Sequence, residues 1–153
     1  HLGPTVVRLD EPRYPLHVNL RVGTVMSVFN TITGRVFAAY LPEKMVRSVL
    51  EDEHRRVVGG ASLAFDVPEV QQMLAEIRAA GMGRGLSQPQ PGINTLSAPV
   101  FDADGKVALV LTVFGPQGVF AADIDGKEGQ LLRTHAEAVS RRLGHDPGIK
   151  IQQ

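Results

Sequence analysis

The 153-residue chain contains no cysteine, which excludes disulfides and every thiolate metal site. It also lacks a charge of either sign in excess: sixteen basic and sixteen acidic side chains cancel. Phosphate binding needs clustered lysine and arginine beyond the local acids, so the chain carries no electrostatic footprint for nucleic acid. The short basic pairs Arg55-Arg56 and Arg141-Arg142 sit among carboxylates and read as solvated helix faces. No apolar run reaches the roughly 18 residues of a membrane span, and no signal peptide is visible. A cytoplasmic protein without membrane contact is the expectation. The first residue is His1 rather than methionine, which reads as a processed, trimmed or truncated fragment, so a missing N-terminal partner domain is one expectation.

What the chain does have is the 43% hydrophobic content of an ordinary globular domain, at a length that suits one domain over residues 1–153. TVVRLD and YPLHVNLRVG, separated by Glu11-Pro12-Arg13, read as a hairpin. In its second strand Leu16, Val18, Leu20 and Val22 alternate with polar residues. A helix follows in NTITGRVFAAYL, and Pro42 starts another. There Met45, Val46, Val49 and Leu50 share a face, and Glu43–Arg47 and Glu51–Arg55 form supporting pairs. Residues 66 to 80 give the clearest helix, with Asp66 and Glu69 as a capping box, Val70, Met73, Leu74 and Ile77 as its stripe, and Gly81 as its stop.

GRGLSQPQPG then reads as a short strand running into a loop. INTLSAPVFDADGKVALVLTVFGP supplies two long strands about Asp102-Ala103-Asp104-Gly105. VALVLTVF is apolar on both faces and is expected to be the central strand. A last helix starts near Asp125, with Leu132, Ala136, Val139 and Leu143 as its stripe and Gly144 as its end. Strand pairs interrupted by a helical block argue for an α+β fold, an antiparallel sheet with helices packed on it.

Catalytic constellations are missing. His17, His54, His135 and His145 share no metal-ligand spacing, and Ser62, Ser87 and Ser97 lack a nucleophile-elbow context. The glycines of GMGRG follow a helix instead of joining a strand to one, which is wrong for a phosphate loop. The informative signal is polar side chains where a packed core wants aliphatic ones. Thr95 and Ser97 interrupt one strand of the late hairpin and Thr112 its partner. A buried hydroxyl without a hydrogen bond costs about 1–3 kcal/mol, so each needs a partner. With a two-residue turn Thr95 faces Thr112 and Ile93 faces Phe114; a bulge at Gly105 shifts this by one.

The second signal is NTITG. A helix start exposes unpaired N–H groups and a partial positive charge. With Asn30 or Thr31 as N-cap, the amides around Ile32, Thr33 and Gly34 point at whatever binds there, and Gly34 allows close approach of helix and sheet. Ordinary capping explains the same residues without a ligand. Taken with the strand hydroxyls, they describe a gap for a small carboxylate with an apolar body.

These segments together resemble the effector-binding domain of the IclR family of bacterial transcriptional regulators. The resemblance runs through VGTVMSVFNTITGRVFAAYLP, EIRAAGMGRG, GINTLSAPVFDADGKVALVLTVFGP and HAEAVSRRLG, covering nearly the whole chain. Gly34-Arg35 stands where the family has Gly-Lys, and Ala98-Pro99-Val100-Phe101-Asp102 matches its Ala-Pro-Val-Phe-Asp pattern. The resemblance implies a GAF-like or profilin-like domain with a curved antiparallel sheet. By position it places Val18 and Met26 on the ligand pocket, with Asn30, Thr31, Ile32 and Thr33 at its helical side. Ile93, Thr95, Thr112 and Phe114 line it from the sheet, with Thr95 and Thr112 on one face. Two departures stand out: Ser87 and Gln88 replace acidic residues before Gly92, and Gly85 replaces an aspartate. A less acidic pocket suits an uncharged or anionic ligand.

The resemblance therefore implies a small-molecule effector, here an organic acid and an aromatic one where Phe114 and Phe29 flank it. It also implies a homo-oligomer, dimer or tetramer, that meets DNA only through a winged helix-turn-helix absent from this chain. No cofactor is implied, and no catalysis. An enzyme acting on the same acid, and a pure oligomerisation module with a filled core, are the alternatives.

Overall fold

Thr31 sets the first helix. Its backbone is extended, and its hydroxyl accepts from the Gly34 amide at 2.9 Å, so helix α1 (Ile32–Tyr40) starts one residue later. Pro42 separates it from α2 (Glu43–Arg56), and α3 (Pro68–Ala80) ends at Gly81 in the left-handed conformation. Strands β1 (Gly83–Leu86), β2 (Ile93–Phe101) and β3 (Val107–Pro116) form an antiparallel sheet in the order β1-β2-β3, followed by α4 (Lys127–Arg142). The computed structural model describes residues 3–10, 18–56 and 64–148.

The sheet separates two cores. One face of β2 turns Leu96, Ala98 and Val100 towards Leu132 and Ala136 of α4. The other face meets α1, behind which Val36, Val46, Leu74 and Ile77 join α1, α2 and α3 into a second cluster. Burying each such aliphatic chain contributes about 1.5–3 kcal/mol. Glycines bring helix and sheet into contact: a Cβ on Gly83 would lie 2.7 Å from the Val36 side chain, and one on Gly85 2.8 Å from that of Ile32. Gly85 thus has no room for the aspartate that the family resemblance places there, because the Gln88 carbonyl oxygen and the Ile32 side chain of α1 already fill the space.

The sequence misplaced several details. VALVLTVF is not central: β3 lies at the edge of the described sheet, and β2, almost wholly buried, is the middle strand. Asp66 does not cap α3, whose N-cap is Val67; its carboxylate instead takes the Arg47 guanidinium, which also holds Glu43 at 2.7 Å. Arg55 pairs with Asp52 and not with Glu51. Met45 and Leu143 are each about two-fifths exposed, and Ser140 continues the buried stripe of α4.

Of the early hairpin, residues 5–10 and 18–23 form no strand in the structure. Thr5 pairs with Val25 in a single bridge instead, flanked by hydrogen bonds from Val6 N to Thr24 O (2.9 Å) and Met26 N to Pro4 O (2.7 Å). The expected turn at Glu11-Pro12-Arg13 and the start of its second strand, Leu16 and His17 included, lie outside the described residues, as does Ser62.

The late hairpin differs from both expected registers. Ser97, not Thr95, faces Thr112, and Thr95 faces Phe114. The turn is longer than two residues, and the pairing slips once more between Val100 and Phe101. Asp102 organises the turn by accepting from the amides of Asp104 and Lys106. The net displacement is an even number of residues, so Thr95 and Thr112 keep a common face. Within β2 stands Pro99. The Asp102 amide points to β3 and the Phe101 amide to α4, so alternation turns the Pro99 nitrogen away from β3. On that side β1 has already ended at Gly83, and no ladder bond is lost.

Candidate functional site

The site predicted at the start of α1 rests on a turn pinned by α2. The Glu53 carboxylate accepts from the Ser27 hydroxyl and from the Val28 amide, the latter at 3.0 Å. Ser27 Oγ in turn accepts from Asn30 N at 3.2 Å, while Ser27 O accepts from Thr31 Oγ1 at 2.7 Å. Arg35 Nε donates to Phe29 O at 2.7 Å, and burial pushes its guanidinium below its usual pKa, though an arginine stays protonated. Residues 27–31 are therefore fixed before the helix begins.

Glu53 and Ser27 escaped the sequence analysis. Glu53 lies in the charged run EDEHRR, yet Val46, Val49, Leu50 and Glu53 share one helical face, and that spacing was the available signal. Removing the carboxylate leaves a hydroxyl and an amide without their acceptor. Glu53→Ala is expected to lower unfolding free energy by about 1–3 kcal/mol in urea titrations, with Glu53→Gln recovering part of the loss. Equal stability of all three proteins would show the clamp to be idle.

From this turn Thr33 reaches the sheet. Its Oγ1 lies 2.8 Å from Thr112 Oγ1, which lies 2.8 Å from Ser97 Oγ. The open gap expected between helix and hairpin is closed at this point by direct contact between hydroxyls. The direction of the chain follows from burial. Ser97 is wholly inaccessible and has no other side-chain partner among the described residues, so its proton is best spent on Thr112. Either hydroxyl of each pair can donate; with the protons so assigned, Thr112 would donate to Thr33 and the Thr33 proton would be left over. It sits on a half-exposed side chain, next to the amides of Ile32 and Thr33, which have no hydrogen-bond partner among the described residues.

The other predicted residues lie around this trio unevenly. Thr95 and Phe114 form a half-buried cross-strand pair on the face of Thr112, with Ile93 opposite Pro116 beyond them. Ile32 is buried and turns its side chain to the β1 glycines. Thr31 is occupied in capping, and Asn30 is exposed. Val18 and Met26 are half-buried and make no hydrogen bond to the trio among the described residues. Phe29, expected beside the ligand, is instead 1% exposed within the helical core. No cluster of three potential metal ligands occurs among the described residues. Nor is any helix there long and apolar enough to cross a membrane.

Residues 5–141 match the family model for "Bacterial transcriptional regulator IclR C-terminal". The chain belongs to this IclR C-terminal family. Among solved structures, Pseudomonas aeruginosa HmgR shares 37% identity with a TM-score of 0.80 over 94% of this chain and 56% of its own. Thermotoga maritima IclR shares the fold at 22% identity and a TM-score of 0.71, over 89% and 55% of the two chains. The HTH-type transcriptional regulator KdgR of Escherichia coli is 24% identical over 86% of this chain and 50% of its own. The chain thus spans about half the length of that curated relative. The IclR assignment agrees with the α+β architecture, an antiparallel sheet with helices on both faces.

Proposed function

We propose that this IclR domain is a non-enzymatic sensor for a small organic carboxylate, bound where α1 begins. The carrying observation is the run of three hydroxyls from buried Ser97 through Thr112 to Thr33, whose direction we assign from that burial. Complete burial of Ser97 directs the protons outward, so Thr33 presents an O–H beside the free amides of Ile32 and Thr33. Donors converging at a helix start, with the nearby Glu53 carboxylate already engaged by Ser27 and Val28, suit an anionic acceptor. Thr95, Ile93 and Phe114 would meet its body, and an aromatic body would lie on Phe114 alone, since Phe29 is enclosed.

Membership of the IclR family, and relatives named as HTH-type regulators, support a role in transcription control. In that reading the domain works in the cytoplasm as part of a homo-oligomer, dimer or tetramer, and contacts DNA through a winged helix-turn-helix. The ligand changes operator affinity only by favouring one quaternary arrangement over another. Among the described residues no acid–base pair or activated nucleophile accompanies the donors, which weighs against turnover.

Calorimetric titration with a panel of small aliphatic and aromatic acids tests the site. Thr33→Val preserves shape and removes the outward proton, so the tightest acid of the panel should bind about tenfold more weakly. Unchanged affinity in Thr33→Val, or conversion of the acid to product by the purified protein, would overturn the proposal.

A further inference from the structure

A cavity of about 470 Å3 opens between β2 and α4, and none of the residues discussed above for the carboxylate lines it. Its volume falls within the range of small-molecule sites. The floor is apolar, made by Ala98 and Phe101 from the strand and Ala136 from the helix. Ser140, the polar group at that floor, is already spent: it donates to Ala136 O at 2.8 Å and accepts from Phe101 N at 3.0 Å.

The charges stand on the α4 rim. Glu137 lies 3.7 Å from Arg141 and offsets it. Arg133, half-buried on the same wall, has no hydrogen-bond or ion-pair partner among the described residues. An unpaired guanidinium over an apolar floor is a receptor for an anionic head with an apolar body.

The far end is built as well. Helix α4 closes in a Schellman turn, with His145 N donating to Ser140 O at 2.9 Å and Gly144 N to Arg141 O at 3.0 Å. The turn holds the His145 ring 5.4 Å from that of Phe101, at 39°. Across the mouth, a side chain on Gly81 would meet nothing, so the entrance is open. Because the turn brings His145 N back onto Ser140 O, seven residues beyond Arg133, the two ends of the cleft lie roughly 10 Å apart along the helix axis, the reach of an extended acid rather than a compact one.

We propose that this cleft is a second ligand site, which takes an elongated organic monocarboxylate with its anionic head on Arg133 and a flat end against Phe101 and His145. It stands independently of the site at Thr33. The test is a titration of the whole chain with 4-phenylbutyrate, followed by backbone and arginine side-chain NMR signals. Saturable shifts at Phe101, Arg133 and His145 are expected, and they should persist in Thr33→Val. Arg133→Gln, a change on a partly exposed surface, should weaken binding about tenfold while leaving the thermal transition in place. The proposal is overturned by shifts that do not saturate at millimolar acid, by shifts confined to the start of α1, or by equal affinity in Arg133→Gln. A dimer of the free chain that Arg133→Gln dissociates would give the cleft to a second copy and overturn it equally.

Discussion

Gly34→Ala should abolish the cooperative unfolding transition of this domain, a loss of more than about 4 kcal/mol and at the upper limit for one substitution. On helix propensity alone the sign would be opposite, because alanine is favoured over glycine within a helix by up to about 1 kcal/mol. Position decides. A Cβ at residue 34 would lie 2.7 Å from Val28 Cα and closer still to the carbonyl oxygens of Ser27 and Val28. These are backbone atoms, so no rotamer change relieves the overlap. Nor is the turn free to retreat, since Glu53 holds Val28 N and Thr31 Oγ1 holds Ser27 O. Circular dichroism during heating reads the result. A normal melt within about 1 kcal/mol of the parent protein would mean that the 27–31 turn yields far more readily than its hydrogen bonds imply.

Phe29→Ala should cost about 3–5 kcal/mol, the usual range for emptying an aromatic side chain from a core. The ring is 1% exposed, and its cluster includes Val36, Val49 and Leu74 from three helices. Urea titration gives the number. A ligand-contacting residue would behave differently, losing affinity for an acid while keeping most of the stability. Near-parental stability combined with lost binding would therefore return Phe29 to the pocket and refute its place in the core.

Both predictions mark where the sequence could and could not be read. Helices α1, α3 and α4 were legible because apolar spacing of three and four residues is local, and because Gly81 and Gly144 end the latter two in left-handed turns. The role of Gly34 at a close approach was legible too, although its contact, the preceding turn rather than the sheet, was not. Capping failed at Asp66 because a carboxylate has rivals: an arginine from α2 won it. The central strand was misassigned because apolar residues on both faces of β3 describe two neighbouring layers and say nothing about how many strands lie beside it.

For the candidate site, the residue types were visible and their connection was not. Thr33, Ser97 and Thr112 each look like a hydroxyl in want of a partner. That they satisfy one another depends on hairpin register, which the turn length and the irregularity after Val100 set together. Glu53 was hidden for another reason: a charged run looks solvated until tertiary packing turns one member inward.

Pro99 has a consequence for how this protein avoids its own kind. A sheet invites strangers wherever consecutive donors face outward, and β2 outruns β1 at that point. The imino ring withholds one donor and the Ser140 hydroxyl occupies the next, at Phe101. A stray strand arriving there finds no rungs to climb, so the flank of the middle strand that β1 leaves unpaired is sterile towards fibril-like growth.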